Sequence, residues 1–267
     1  MSFIKIITFF FAFCLCESSF GACDDRGYYL FVSADALKVL MLSDERLLKS
    51  QFDRCNVIVG GRRNVLRKGF DIGLNVRRRM TYKSLHDFES DLYDGKLTGV
   101  VDAVVYNPEP AFLETPIEEK LNPVKYAIRF ARLARENGLL SVAAPSCRLV
   151  KEKDALNRFR MCANDIFSSI APYYDFIDIQ AQSTQGDINL YERIIREVAK
   201  IIRSSDRKVK IIAQVSTVDA IGGSAETMGE AAMKTKDVVD GFWINIDNKS
   251  LDGKADFIEM IMKYNIN

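Results

Sequence analysis

Eight short apolar runs, separated by stretches of helical periodicity, constrain this chain more than any other feature. The runs are Tyr28–Ser33, Asn56–Gly60, Asp71–Asn75, Val101–Tyr106, Leu140–Ala144, Phe176–Gln182, Lys210–Val215 and Phe242–Ile246. Most are rich in Val, Ile, Phe and Tyr, which suit a pleated, half-buried surface. Between them apolar residues recur at helical spacing. Ala36, Leu37, Leu40 and Leu47 mark one helix, and Leu85, Phe88 and Leu92 another. A third opens at Asn122-Pro123 and closes at Asn137-Gly138, with proline just inside its start and glycine just past its end. Further helices are expected near 154–170, 190–203, 225–236 and 254–264, and a short or irregular one near 64–68. Strand and helix alternating eight times predict a single-domain (β/α)8 TIM barrel. The rival is an open doubly wound sheet. No Gly-x-Gly-x-x-Gly follows the first strand and no Gly-Lys-Ser/Thr phosphate loop occurs, which lowers the nucleotide-binding reading.

The barrel is expected to span residues 23–267. Lys5, the apolar run Ile6–Leu15 and the small residues Ser19, Gly21 and Ala22 have the layout of a secretory signal peptide, residues 1–22. The run is too short for a permanent membrane span. The expected product is exported, secreted or periplasmic, with a lipid anchor at Cys23 as the variant outcome. Charge is nearly balanced, 37 basic against 36 acidic residues, which gives no footprint for a nucleic-acid partner. Cys23, Cys55, Cys147 and Cys162 remain after signal removal. In an exported chain they allow up to two disulfides, in any of three connectivities. With one histidine, His86, and no Cys-x-x-Cys in the mature chain, no metal site or cofactor is expected.

The chemistry concentrates where strands end. In Val101–Glu109 the odd positions run Val101, Ala103, Val105, Asn107, Glu109, so the last two share a face at the strand's carboxyl end. In a barrel that end carries the active site. The same parity leaves Gln180 and Gln182 toward the mouth while Ile177, Ile179 and Ala181 face helices. Gln214, Trp243 and Asn245 complete the expected rim, with Ser33, Asn75 and Ser216. Amides pair with hydroxyls, and an indole face packs on a pyranose, so the set suits a sugar.

Asp102-Ala103-Val104-Val105-Tyr106-Asn107-Pro108-Glu109 resembles the fourth-strand signature of family-eighteen chitinases, Asp-Gly-x-Asp-x-Asp-x-Glu. Asp102 and Glu109 match its ends; Val105 and Asn107 replace two aspartates and Ala103 replaces the glycine. Asp175–Gln182 is similar to that family's sixth strand, and Trp243 stands where it places a tryptophan. Tyr106-Asn107-Pro108-Glu109 also resembles an element of uncharacterised bacterial exported proteins. The chitinase resemblance implies substrate-assisted hydrolysis of an N-acetylated glycan, an exception to the two-carboxylate scheme. Glu109 would be the general acid and Asn107 would orient the acetamide. Tyr106, Gln180, Gln182, Gln214, Trp243 and Asn245 would bind substrate.

Plainer readings stand beside these. Glu109 pairs with an arginine in a loop, Asn107-Pro108 shapes a turn, Trp243 is packing, Gln180 and Gln182 bond each other, and His86 is on the surface. The replaced aspartates favour a carbohydrate-binding barrel without turnover. Arg62, Arg63, Arg67, Lys68 and Arg77–Arg79 flank the expected third strand, the last three following it onto the rim. They read as a solvated face, or as a cue to an anionic small-molecule or polymer substrate for a different hydrolase or lyase.

Overall fold

A computed structural model describes residues 27–43, 45–61, 66, 74–110, 114–218 and 223–246. The expected signal segment 1–22, Cys23 and the helix near 254–264 lie outside them, as does most of the stretch 64–68. The described elements are β1 (Tyr29–Ser33), α1 (Ala34–Ser43), α2 (Glu45–Phe52), β2 (Val57–Gly60), β3 (Arg77–Tyr82), α3 (Leu85–Tyr93), β4 (Ala103–Tyr106), α4 (Ile117–Leu121), α5 (Pro123–Glu136), β5 (Leu140–Ala143), α6 (Ala155–Cys162), β6 (Phe176–Ile179), α7 (Ile188–Ser205), β7 (Lys210–Ser216), α8 (Ala225–Thr235) and β8 (Gly241–Asn245). The eight strands pair in sequence order, all parallel, and β8 closes on β1. The chain is therefore a closed TIM barrel and not an open sheet.

Two strands differ from expectation. The sixth stops at Ile179, and Gln182 opens a 3-10 turn beyond it. The third runs over Arg77–Tyr82, downstream of Asp71–Asn75. Asn75 thus precedes the strand and is exposed, its N–H donating to Asp53 Oδ1 at 2.5 Å. Arg77–Arg79 begin β3 instead of following it, so they do not lie on the rim. The helix expected across Ala36 to Leu47 is two, α1 and α2. The run after Asp154 is continuous but carries a π turn over Ala163–Phe167.

Alternation along each strand sorts the core into two layers. Tyr29, Phe31, Ile58, Ala103, Val105, Val142, Phe176 and Ile212 fill the lumen. Their neighbours, such as Leu30, Val59, Val104, Ile177 and Ala213, pack against the helices. At the β8–β1 seam a Cβ on Gly241 would sit 2.2 Å from the Tyr29 carbonyl oxygen, so only glycine permits that approach.

A repeated device locks the amino-terminal end. Asp102, Asp175 and Asp240 each stand just before an even-numbered strand. Each accepts a backbone N–H from the strand before it: Arg78 at 2.8 Å, Ser141 at 2.8 Å and Ile211 at 2.7 Å. Asn56, before β2, donates its Nδ2 to the Tyr28 carbonyl at 2.8 Å. Each side chain pairs a backbone group at a strand start.

Candidate functional site

The loop after β4 holds the most concentrated polar chemistry. The Asn107 N–H extends the β3–β4 ladder to the Tyr82 carbonyl at 2.8 Å. That keeps the strand's parity, so Asn107 turns inward. Two contacts then pin Glu109. Its N–H donates to Thr115 Oγ1 at 3.2 Å, and that hydroxyl donates to the Lys83 carbonyl at 2.8 Å. The Pro108 carbonyl accepts from the Ser146 N–H at 3.2 Å, joining this loop to the one after β5.

The side chains form one connected row across four strands. Glu109 Oε1 accepts from Lys83 Nζ at 3.3 Å and from Asn107 Nδ2 at 3.3 Å. Asn107 Oδ1 accepts from Gln180 Nε2 at 3.1 Å, which also donates to the Ala144 carbonyl at 2.6 Å. Beside this row opens a cavity of about 140 Å³, lined by Glu109, Ser146, Cys147, Arg148, Arg158, Phe159, Gln180, Gln182 and Ser183. Gln182 Oε1 is buried there with no hydrogen-bond partner. A disulfide between Cys147 and Cys162 sets one wall. Arg148 follows Cys147, and Arg158 lies one helical turn before Cys162 in α6, so the bridge holds both arginines against the cavity. Cys55 is disulfide-bonded as well.

Inside the lumen lies a second polar group. Arg79, 5% exposed, places its guanidinium carbon 3.7 Å from the centroid of the Trp243 ring and 5.8 Å from that of Phe31. The space it needs is left by Gly60, where a Cβ would approach Arg79 Cζ to 2.6 Å. Asp178, fully buried, shares this interior. Burial raises the Asp178 pKa, with Arg79 opposing, and lowers the Arg79 pKa to about 9, with Asp178 opposing.

The fold therefore brings Asn107, Glu109, Gln180 and Gln182 to one cavity. Gln214, Trp243 and Asn245 point inward from β7 and β8 but do not line it. Gln214 is 7% exposed and its Oε1 is buried without a partner. Trp243 is covered on one face by Arg79 and stacks with Phe31. Tyr106, expected among the substrate contacts, faces the helices instead. It is fully buried, stacks on Phe130 and donates to Glu119 Oε2 at 2.6 Å. Its even position alternates it away from Asn107. Lys83, Arg148, Arg158 and Asp178 were not expected, and Arg79, expected on the rim, stands inside the lumen instead. Three had a signal: Asp178 shares parity with Gln180, and Arg79 and Lys83 alternate with Thr81 once β3 is placed correctly. Among the described residues no group of three or more His, Cys, Asp or Glu could hold a metal ion, and no helix is long and apolar enough to cross a membrane.

Comparison with known proteins speaks to fold. No family model and no curated protein sequence matches the chain. Solved structures do. The glycoside hydrolase domain of PgaB (BpsB) from Bordetella bronchiseptica is similar at a TM-score of 0.54 and 9% identity, over 89% of this chain and 98% of that one. Hydroxymethylglutaryl-CoA lyase from Pseudomonas aeruginosa gives 0.52 and 14%, over 82% and 76%. The HMG-CoA lyase from Brucella melitensis gives 0.51 and 8%, over 81% and 80%. A hydrolase and two lyases thus share this scaffold, as barrels host many chemistries.

Proposed function

We propose that this chain is a glycan-acting hydrolase in which Glu109 is the proton donor and Asn107 its partner. The observation that carries the reading is the 3.3 Å contact between Asn107 Nδ2 and Glu109 Oε1 beside a polar cavity at the barrel mouth. An acid and a carboxamide side by side are what substrate assistance uses. The acid protonates the glycosidic oxygen. The substrate's acetamide oxygen bonds to the anomeric carbon as the bond to the leaving alcohol breaks, and the carboxamide holds that acetamide in line. Water then opens the cyclic oxazolinium ion. Gln180, Gln182, Ser146 and Ser183 offer hydrogen bonds to hydroxyls. The fold shared with a glycoside hydrolase domain is consistent with this.

Glu109 begins paired with Lys83, so substrate must displace that ammonium before the carboxyl reaches a glycosidic oxygen. This contact favours a second reading, a barrel that binds glycan without cleaving it. Glu109→Gln separates them on a panel of N-acetylated oligosaccharides. General acid catalysis is typically worth about 10²–10⁴-fold. The hydrolase reading expects turnover to fall by that factor with binding retained. Wild-type binding without cleavage leaves the second reading, and no binding by wild type removes both.

We also propose export, with residues 1–22 removed as a signal peptide. The Cys147–Cys162 bridge and the disulfide at Cys55 support it, because such bonds persist in oxidising compartments. Mass spectrometry of protein from the native host decides the point: an intact Met1 terminus would end the proposal.

A further inference from the structure

The opposite end of the barrel carries charge where such folds pack apolar layers. The first inward positions of the odd-numbered strands are Tyr29, Arg77, Leu140 and Lys210. Barrel interiors are filled in layers of four from alternate strands, mostly with bulky branched residues. Here β3 and β7 each put a cation into that layer. The layer opens into a cavity of about 420 Å³, with Tyr29, Leu140 and Phe176 as apolar wall and Arg77, Arg135, Lys208 and Lys210 as the basic side.

The lining holds four cations against two acids, Asp175 and Asp206, and both acids are held in place by neighbouring donors. Asp175 Oδ2 accepts from both the Ser141 N–H and hydroxyl, at 2.8 and 2.9 Å. Asp206 Oδ1 accepts from the Lys208 N–H at 2.7 Å. Asp240, 4.0 Å from Lys210 Nζ, accepts from the Ile211 N–H and pairs with Arg203. No hydrogen bond or ion pair reaches the Arg77 side chain from the described residues. A concave, partly apolar site with surplus positive charge selects an anion.

We propose that this end of the barrel is a second ligand site, for a small organic anion carrying one phosphate or carboxylate on a flat apolar body. The guanidinium of Arg77 and the ammonium of Lys210 hold the anionic group, and the body covers Tyr29, Leu140 and Phe176. The cavity has the size of small-molecule sites. The site is independent of Glu109 and of any glycan chemistry at the mouth.

Phenyl phosphate is the probe, titrated calorimetrically into the folded protein. Wild type should bind it, and should bind inorganic phosphate and benzyl alcohol more weakly, because each supplies half of the recognition. Arg77→Met and Lys210→Met keep the apolar stems and should each weaken binding at least about tenfold, the loss of one charge-assisted contact. Arg148→Ser, at the other mouth, should leave it unchanged. Amide shifts in wild-type protein locate the site without any substitution and should fall on Tyr29, Leu140 and Phe176. No binding at millimolar concentration, binding by either methionine variant equal to that of wild type, or shifts centred on Glu109 and Gln180 would each overturn the proposal.

Discussion

Arg79 and Asp178 are opposite charges sealed inside the same barrel, yet neither carboxylate oxygen of Asp178 accepts a hydrogen bond. Arg79 lies instead against Trp243 and donates to Thr81 Oγ1 at 3.0 Å. The pair is thus joined by field and not by contact, and the carboxylate carries the larger unmet desolvation cost.

That asymmetry predicts unequal single variants. Asp178→Leu leaves a buried cation without its counter-charge and should cost about 3–5 kcal/mol. Arg79→Met leaves a carboxyl that can take a proton, so it should cost clearly less. The double variant should return close to wild type. Urea denaturation of all four proteins closes the cycle, and additive losses would show that the two charges do not interact.

The same carboxyl predicts a pH slope. Burial holds the Asp178 pKa well above its ordinary 3.8 in the folded barrel. Between the unfolded and folded values the folded state binds more protons than the unfolded one. Stability contributed by this group is therefore fully present below about the unfolded value and is lost as pH rises through the folded one. Asp178→Asn should flatten that part of the profile, measured as unfolding free energy from pH 4 upward. An unchanged slope would mean that Asp178 stays ionised.

Breaking the Cys147–Cys162 bridge should affect both stability and the mouth. Its sequence separation of 15 corresponds to a loop-closure contribution of about 3 kcal/mol. Cys147→Ser with Cys162→Ser should lower stability by about that amount. It should also weaken binding at the cavity, because Arg148 and Arg158 lose their common anchor. Binding unaffected by the double change would separate those arginines from the ligand.

Tyr106 and Glu119 test the corrected orientation. Glu119 accepts from the Tyr106 hydroxyl and, with both oxygens at 3.0 Å, from the Leu85 N–H at the start of α3. Tyr106→Phe removes one buried bond to a charged group and should cost about 1.5–3 kcal/mol. Glycan binding should not change. A selective loss of affinity with stability intact would return Tyr106 to the site.

Much of the site was legible because strand parity is strict. Alternation carries Asn107 and Gln180 inward at the first position past β4 and β6. Glu109 and Gln182 lie beyond the strands, in a loop and a 3-10 turn, and reach the same cavity through the fold of those segments. Applied consistently, alternation excludes Tyr106, since position 106 pairs with Val104 on the helix side. The third strand escaped because hydrophobicity identifies strands by what they bury, and β3 opens with three arginines. Arg79 is tolerated inside only because Gly60, Trp243 and Asp178 meet it from other strands.

The sequence alone therefore determined the alternation of strand and helix and the facing of each apolar strand, because both rest on local periodicity. Only the tertiary structure decided which cations join Glu109, that Trp243 is covered by Arg79, and that Arg77 and Lys210 share a cavity. Those relations join strands far apart in sequence. Closure of the sheet, which no local pattern encodes, brings them together.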